Sequence, residues 1–300
     1  MEKNILLETV GGISIERVRR DSAFTMSGHH FHPDFEIYYL YEGRRSYFIE
    51  KHIYEITGGT LVFIATGKIH KTTESSENNT KSASHDRLLL LLDKKIQQSF
   101  QSMLAEMNAE DFFTQQYGII QLKASEKKYI ESIFQFIYKE IQNKSAGYLT
   151  LIKMRTKELL IFIIRKMSSA SYIEQNSQMK TKYRQSHSLL EKVEDIALYI
   201  SNHCESQISL EELASKFYIS KYYLCRIFKA STGFTINEYL NMKRIQKSIE
   251  YLEKTNCSIT TVSELSGYDT ITHFERNFMK YMSQTPLRYR KQYQIEESNT

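Results

Sequence analysis

The feature that most constrains this chain is an internal repeat near its carboxyl end. When residues 208–290 are compared with themselves at an offset of fifty, matching residue types appear in four pairs: Arg226 and Arg276, Phe228 and Phe278, Thr235 and Thr285, and Tyr239 and Tyr289. A fixed period usually means that each copy folds as one supersecondary unit. The repeat therefore predicts two similar units in one all-α region.

Each copy has the sequence signature of a helix, a short turn and a second helix. In the first copy, Ser209 precedes Glu212 at the spacing of a capping box, and Ser220 precedes a second amphipathic run. In the second copy, Gly267 is suited to a tight turn between helices. Two helix-turn-helix units are therefore predicted.

The second helix of each copy is predicted to bury one apolar stripe and to expose a polar face. An exposed helix face fits the major groove of B-DNA, where an arginine can contact two guanine acceptors at once. The predicted base-contacting residues lie on these faces: Lys221, Tyr222, Cys225, Arg226, Thr272, His273, Glu275 and Arg276. The alternative is that the two arginines are ordinary solvated side chains.

Residues 236–254 predict one long helix between the two units. At ~1.5 Å per residue its length is on the order of 28 Å, which is of the right size to set two units about one turn of DNA apart, ~34 Å. Predicted phosphate contacts, which give affinity without sequence information, are Lys229, Lys243, Arg244 and Lys247. For any one of them a solvated face is nearly as good an explanation.

Positive charge is concentrated in the same region. The net charge of the chain is +5, whereas residues 216–291 alone carry thirteen Lys and Arg against six Asp and Glu. A basic region in an otherwise nearly neutral chain is the expected electrostatic footprint of a phosphate-binding surface.

The carboxyl-terminal third closely resembles the DNA-binding domain of the AraC/XylS family of bacterial transcription regulators. The matching segments, whose spacing fits over about a hundred residues, are 208–214, 220–229, 232–235, 239–245, 267–269, 274–278 and 285–290. The resemblance implies that both second helices enter successive major grooves on one face of double-stranded DNA. It also implies RNA polymerase as a further partner if the protein is an activator.

Bulk composition is that of an ordinary soluble protein. Of 300 residues, 41% are hydrophobic and 25% are charged, and no apolar run approaches the ~20 residues that cross a bilayer. The amino-terminal residues lack the pattern of a secretory signal. Cys204, Cys225 and Cys257 have no metal-binding or redox spacing, so reduced thiols in the cytoplasm are predicted.

The amino-terminal region is predicted to be rich in β-strands. Strand-like runs separated by glycine turns occupy residues 36–41, 46–49, 60–64 and 88–92. Short strands at roughly ten-residue spacing favour a sandwich or a barrel. The sequence resembles the two motifs of a cupin barrel at His30, His32 and Glu36 and again at His70. Ala65 and Glu74 depart from the second motif. Regulators of the AraC type often carry such a barrel as a sensor.

The cupin resemblance implies four candidate metal ligands: His30, His32, Glu36 and His70. Three imidazoles and a carboxylate suit a divalent first-row ion. We favour the alternative that they line a polar pocket without metal, so no cofactor is predicted. Together with Tyr38, which shares the strand face of Glu36, they would form the pocket for a small-molecule effector of unknown identity.

The remaining segments complete the predicted α+β architecture. Residues 1–122 form the cupin-like effector-sensing barrel, and residues 123–167 form a helical segment. Its second helix, residues 148–167, is apolar around much of its circumference, which predicts a homodimer. Packing within one chain is a nearly equal alternative. Residues 168–188 are a polar linker, and residues 189–294 are the all-α DNA-binding domain.

The predicted function is a ligand-responsive, sequence-specific DNA-binding transcription regulator that is not an enzyme and not a membrane protein. The alternative is a cupin metalloenzyme, such as a dioxygenase or an isomerase, with a DNA-binding tail. The four candidate ligands permit that alternative, but the sequence has no separate acid–base pair or cofactor loop that would specify a reaction.

Overall fold

A computed structural model describes residues 2–21, 31–75, 84–169, 172 and 188–298. Within these ranges the chain is α+β, as predicted, with strands in the amino-terminal part and helices after them. None of the helices in these ranges is long and apolar enough to cross a membrane.

Strands of the amino-terminal part form two antiparallel sheets. They are β1 (Glu2–Val10), β2 (Ile13–Arg20), β3 (Phe35–Glu42), β4 (Arg44–Ile49), β5 (His52–Thr57), β6 (Thr60–Ile64), β7 (His70–Glu74), β8 (His85–Leu92) and β9 (Tyr117–Gln121). The large sheet has the order β1-β2-β8-β3-β6-β9, and the small sheet has the order β5-β4-β7. Tyr38 and Leu40 of β3 pack in one cluster with Tyr47 and Ile49 of β4, so the sheets face each other. Among the described strands, the predicted barrel is thus two facing sheets with separate hydrogen-bond ladders.

Strand β3 is buried on both faces because the small sheet covers one face and the helices that follow cover the other. Its even-numbered residues face the small sheet, whereas Ile37 and Tyr39 join a second core with the helices that follow. The Tyr39 hydroxyl donates to Glu131 Oε1 at 2.6 Å. This two-sided burial explains why β3 has an unbroken apolar and aromatic run rather than simple alternation.

The helices that cover the large sheet are α1 (Lys94–Ser99), α2 (Gln101–Glu106), α3 (Phe112–Gln115), α4 (Ala124–Asn143) and α5 (Tyr148–Met167). One side of α5 is buried through Ile152, Leu159 and Ile163, while Leu151 and Met154 remain exposed. The predicted linker, residues 168–188, lies almost entirely outside the described residues.

The carboxyl-terminal part is all-α. Its helices are α6 (Ser188–His203), α7 (Leu210–Lys216), α8 (Lys221–Thr232), α9 (Ile236–Lys254), α10 (Ile259–Leu265), α11 (Ile271–Met282) and α12 (Pro286–Ser298). The predicted long helix has the bounds expected from the sequence. Helices α7 and α8 form the first helix-turn-helix unit, and α10 and α11 form the second.

Local capping explains where these helices begin. Ser209 and Thr235 each form a reciprocal capping box with the glutamate three residues later. Ser220 and Thr270 cap the second helices through their hydroxyl groups. The two second helices also end alike, in a left-handed residue at Gly233 and at Ser283.

Candidate functional site

Helices α8 and α11 expose and bury equivalent positions. In both, the first two residues are exposed, the fourth is buried, and the sixth, which is Arg226 or Arg276, is exposed. The buried side of each helix is apolar and comprises Leu224, Ile227 and Phe228 in α8 and Phe274 and Phe278 in α11. The two arginines therefore occupy the same place on two solvent-facing surfaces.

The other predicted base-contacting residues lie on the same faces. Exposed members of this set are Lys221, Tyr222, Thr272 and Glu275, and half-buried members are Cys225 and His273. Lys221 forms an ion pair with Glu211, and the Arg226 guanidinium lies 5.4 Å from the centre of the Tyr223 ring. Contact of these residues with DNA bases stays a prediction.

The structure contradicts the expectation that Lys243 and Arg244 lie on a free surface. Both are buried, with 7% of each residue exposed. Arg244 donates from Nε to the Cys204 carbonyl at 2.8 Å and from an Nη to the Ser206 carbonyl at 3.0 Å, so it ties α9 to the end of α6. The expectation of a free surface was wrong for the described arrangement, because α9 is enclosed on several sides, which its own periodicity does not reveal. Contact of either residue with phosphate stays a prediction.

The other two predicted phosphate contacts are accessible. Lys229 is exposed near the end of α8. Lys247 is half-buried and lies 3.3 Å from Glu250 and 3.7 Å from Glu205. Binding of phosphate by either lysine stays a prediction.

Lys243 is buried by the amino-terminal part of the chain. Its Nζ forms an ion pair with Glu50, which lies in the turn between β4 and β5 in a left-handed conformation with φ of 57°. The other Glu50 oxygen accepts from Gln246 Nε2 at 3.0 Å and from the Ile69 amide at 2.7 Å. The Glu50 carbonyl accepts from the Tyr239 hydroxyl at 2.6 Å. We call this set of contacts the Glu50 clamp.

A second contact joins the two parts beside the Glu50 clamp. Lys71 Nζ donates to the Gly233 carbonyl at 2.8 Å and lies 4.7 Å from the centre of the Phe234 ring. Phe48 of β4 packs on Phe234 and Tyr239. Helix α9 thus shares a hydrophobic cluster with the small sheet.

Electrostatics favour an ionised Glu50 in this buried place. Burial acts to raise the pKa of Glu50, but the charge of Lys243 and the hydrogen bonds from Lys243, Gln246 and Ile69 outweigh it and leave the pKa lowered. Local sequence patterns do not identify Glu50, Lys71 and Gln246, because their contacts join residues 162 to 196 positions apart.

Two of the predicted effector-pocket residues, His32 and His70, converge on the carboxylate of a third, Glu36. His32 Nε2 and His70 Nε2 each lie 3.2 Å from Glu36 Oε2, and the Tyr47 hydroxyl donates to Glu36 Oε1 at 2.6 Å. Glu36 and His70 are each 1% exposed. His30 lies outside the described residues, so its place in this cluster is not described.

The hydrogen bonds of both imidazole rings restrict what their Nε2 atoms can do. Each Nδ1 lies next to a backbone carbonyl, that of Asp34 at 3.0 Å for His32 and that of Lys68 at 2.8 Å for His70. A carbonyl can only accept, so each Nδ1 carries a proton. Each Nε2 must then either be protonated as well or share a cation with Glu36.

The geometry of this cluster fits a small divalent ion. Its ligand atoms all lie within 4.8 Å of one another. Ligands of a tetrahedral zinc ion with bonds of about 2.0–2.1 Å are roughly 3.3 Å apart, close to the 3.2 Å that separates each histidine Nε2 from Glu36 Oε2. Carbonyls that orient the second imidazole nitrogen are also typical of metal-binding histidines. His32, Glu36 and His70 would hold such an ion.

Protonation offers the competing account of the same geometry. Burial acts to lower the pKa of His32, but the hydrogen bond and the charge of Glu36 outweigh it and raise the pKa. Burial acts to raise the pKa of Glu36, but the charge of His70 and the two histidine hydrogen bonds bring it well below its usual range. An imidazolium–carboxylate pair is therefore favoured in the absence of metal.

Comparison with known proteins matches both parts of the chain. Residues 13–84 match the family model described as an AraC-like ligand binding domain, and residues 213–292 match one described as a helix-turn-helix domain. Together the two matches cover half of the chain.

Individual relatives have the same character. The chain is 24% identical to the uncharacterized HTH-type transcriptional regulator YdiP of Escherichia coli, over 89% of this chain and 82% of the relative. It is 33% identical to the transcriptional regulator Rob of Salmonella typhimurium over 33% of this chain, and spans 34% of that relative's length. Among solved structures, the C-terminal domain of AraT from Geobacillus stearothermophilus is 31% identical over 35% of this chain and 88% of that chain, with a TM-score of 0.34.

Proposed function

Because the chain belongs to the AraC family and is a helix-turn-helix DNA-binding transcription regulator with an amino-terminal ligand-binding domain, we propose that Arg226 and Arg276 contact operator bases. A small molecule held between the two sheets controls this contact. The observation that carries the proposal is that both arginines are exposed at the same position of two equivalent helices. An arginine that approaches a guanine with both Nη groups discriminates among all four base pairs.

The contact between the two parts supplies the means of control. In the described arrangement the Glu50 clamp occupies Lys243, so this lysine is withheld from phosphate. A ligand that favours an arrangement without the Glu50 clamp would return that positive charge to the DNA-binding surface. Such a ligand must bind the two arrangements with different affinity, since equal affinity would shift nothing.

We propose a homodimer formed through α5, as the sequence predicted. The outer side of this helix exposes Leu151 and Met154, with Met154 60% exposed. A groove beside them runs between α4 and α5 and is lined by Tyr129 and Phe162 among others. Substitution Met154→Glu should shift sedimentation velocity from dimer to monomer, and a wild-type protein that sediments as a monomer would refute the dimer.

The proposed binding of DNA implies where in the cell the protein works. A bacterial regulator that binds the chromosome works in the cytoplasm, and an activator would also contact RNA polymerase. We propose no catalytic activity, because the relatives reported above are transcriptional regulators.

Selection of bound fragments from the organism's genomic DNA tests the proposed function. We expect a recurrent site with two groups of protected guanines whose centres are about 10 base pairs apart, because two helices on one rigid linker enter successive major grooves. Footprinting that finds no recurrent site, or a single protected groove, would contradict it.

A further inference from the structure

The turn between α7 and α8 carries a tyrosine where such turns usually carry a glycine. Helix α7 ends in a Schellman motif, in which the Tyr218 amide donates to the Ser215 carbonyl at 3.2 Å and the Ile219 amide donates to the Ala214 carbonyl at 3.0 Å. The residue at the centre of this motif is left-handed, and Tyr218 has a φ of 54°. Glycine adopts this conformation without steric cost, whereas a bulky side chain there is an outlier.

The turn of the second unit has a glycine at the equivalent position. The Gly267 amide donates to the Glu264 carbonyl at 2.9 Å, which is the same bond that the Tyr218 amide makes in the first unit. Gly267 is also left-handed, with a φ of 85°, and a Cβ there would lie 2.6 Å from the Cys204 carbonyl oxygen. The second unit therefore has no room for a side chain at this point, whereas the first unit presents one.

The fold gives no reason for the Tyr218 side chain. It is 92% exposed, more than any other large hydrophobic residue in the described part of the chain. A side chain that stays in water stabilises the fold very little through burial, whereas its left-handed backbone destabilises the fold. Strain that packing does not offset points to a function. We therefore looked for a partner that the tyrosine meets outside the folded chain.

Tyr218 lies between the two elements that a helix-turn-helix unit applies to DNA. In such units the first helix crosses the sugar–phosphate backbone, and the second helix places its amino-terminal residues in the major groove. The turn joins these two helices, so on DNA it lies at the edge of the groove, where phosphates are the nearest groups. Tyr222, in the first turn of α8, is 78% exposed at the same end of the helix.

We propose that the Tyr218 hydroxyl donates a hydrogen bond to an operator phosphate at the edge of the groove that α8 enters. This inference rests on the proposed function and adds a contact to the base-contacting and phosphate-contacting residues already named. Tyrosine hydroxyls are regular donors to phosphate oxygens, and such contacts fix the register of a protein on the duplex without reading its sequence. Because Gly267 has no side chain, the second unit lacks this contact, and the two halves of the operator are held unequally.

The affinity of the full chain for the selected operator and for a shuffled duplex tests the proposal. Tyr218→Phe keeps the ring and removes the hydroxyl, so it should weaken both complexes by the same factor, about five- to twentyfold at fixed salt. The slope of log K against log salt should match that of the wild type, because an uncharged tyrosine releases no counterion. Tyr138→Phe, which removes an exposed hydroxyl on α4, should bind as the wild type does.

Interference by ethylated phosphates locates the contact on the operator. The change in base preference caused by Arg226→Ala identifies the half-site that α8 reads. In that half-site, one phosphate whose ethylation weakens binding of the wild type should have no effect on binding of Tyr218→Phe. The half-site that α11 reads should give the same pattern with both proteins.

Tyr218→Gly separates the contact from the fold. Glycine relieves the left-handed backbone, so this variant should raise Tm by about 1–3 °C. It should nevertheless bind both duplexes at least as weakly as Tyr218→Phe does. A lowered Tm would show that the side chain serves the fold and would overturn the inference.

The inference is also overturned if Tyr218→Phe binds both duplexes as tightly as the wild type, or if the two proteins give identical ethylation patterns. A loss confined to the operator overturns it as well, since that result would indicate a base contact. Failure of the wild type to bind any recurrent site removes the proposed function, whereas a recurrent site that Tyr218→Phe binds normally removes only this inference.

Discussion

At the scale of single residues, Glu36 is the acceptor on which the cluster at one end of the pocket depends. The sequence identified Glu36, His32 and His70 from their resemblance to a known motif, and the structure brings them together. The sequence did not identify Tyr47, which donates to the same carboxylate from another strand. What the sequence leaves open is whether protons or a metal ion hold the two histidines against Glu36.

The pH dependence of stability separates these two accounts. The pKa of His32 is raised in the folded state, so its stabilising contribution is complete below its unfolded pKa, ~6.5, and is lost as pH rises through the folded value. Without metal, the free-energy loss caused by His32→Gln should therefore be larger at pH 6 than at pH 8.5. Urea unfolding in the presence of a chelator measures it.

His203→Gln, in the last turn of α6 and outside the Glu36 cluster, supplies the matched control for replacement of a histidine. A metal ion reverses the trend, since it binds neutral imidazole and binds more tightly as pH rises. A loss from His32→Gln that grows with pH and disappears on chelation would therefore establish the metal account and contradict the proton account.

At the scale of elements, the repeat made the carboxyl-terminal part highly predictable. Capping residues, apolar stripes and the long helix α9 are local properties, and each appears where the sequence placed it. Strands β1 and β2 were not predicted, since β2 carries charged residues such as Arg17 and Arg19 among its apolar ones. Strand β2 pairs with β8, whose residues lie about seventy positions away, and β1 is held in the sheet only through β2.

The turn of the second unit depends on Gly267. Its φ is 85°, and a Cβ there would lie 2.6 Å from the Cys204 carbonyl oxygen. Gly147 has a φ of 82° with no atom within 4 Å of the same position. Gly147→Ala should therefore cost only the left-handed backbone conformation, ~1 kcal/mol. Gly267→Ala should cost ~1–3 kcal/mol more, because the turn must move away from the Cys204 and Glu205 backbone at the end of α6.

Denaturant unfolding of the two variants measures that difference directly. Equal losses of unfolding free energy would show that the turn between α10 and α11 does not need its close approach to the Cys204 carbonyl. A smaller loss at Gly267 than at Gly147 would show the same.

At the scale of the whole molecule, the sequence predicted both parts but not their contact. Lys243 illustrates the reason, because helical periodicity placed it on a charged face that the β4–β5 turn then covers. The Glu50 clamp and the cluster around Phe48 turn two modules into one packed body. Control of DNA binding by the sensor requires such a contact, since a free linker would transmit nothing.

Removal of the Glu50 charge should activate DNA binding. Glu50→Gln weakens the hold on Lys243, so operator affinity should rise, and the slope of log K against log salt should steepen by about one. Glu106→Gln removes the same charge from an exposed site on α2 and should change neither quantity. Unchanged or weaker operator binding by Glu50→Gln would contradict a restraining role for the Glu50 clamp.

The affinity of the arginine variants for the selected operator tests the central claim most directly. Arg226→Ala and Arg276→Ala should each lose ~1–3 kcal/mol, about 5- to 150-fold in Kd at fixed salt, and should relax the base preference at one position. Lys128→Ala, which removes an exposed positive charge on α4, should bind as the wild type does. If both arginine variants bind the operator as tightly as the wild type, the two helices do not read DNA in the way proposed.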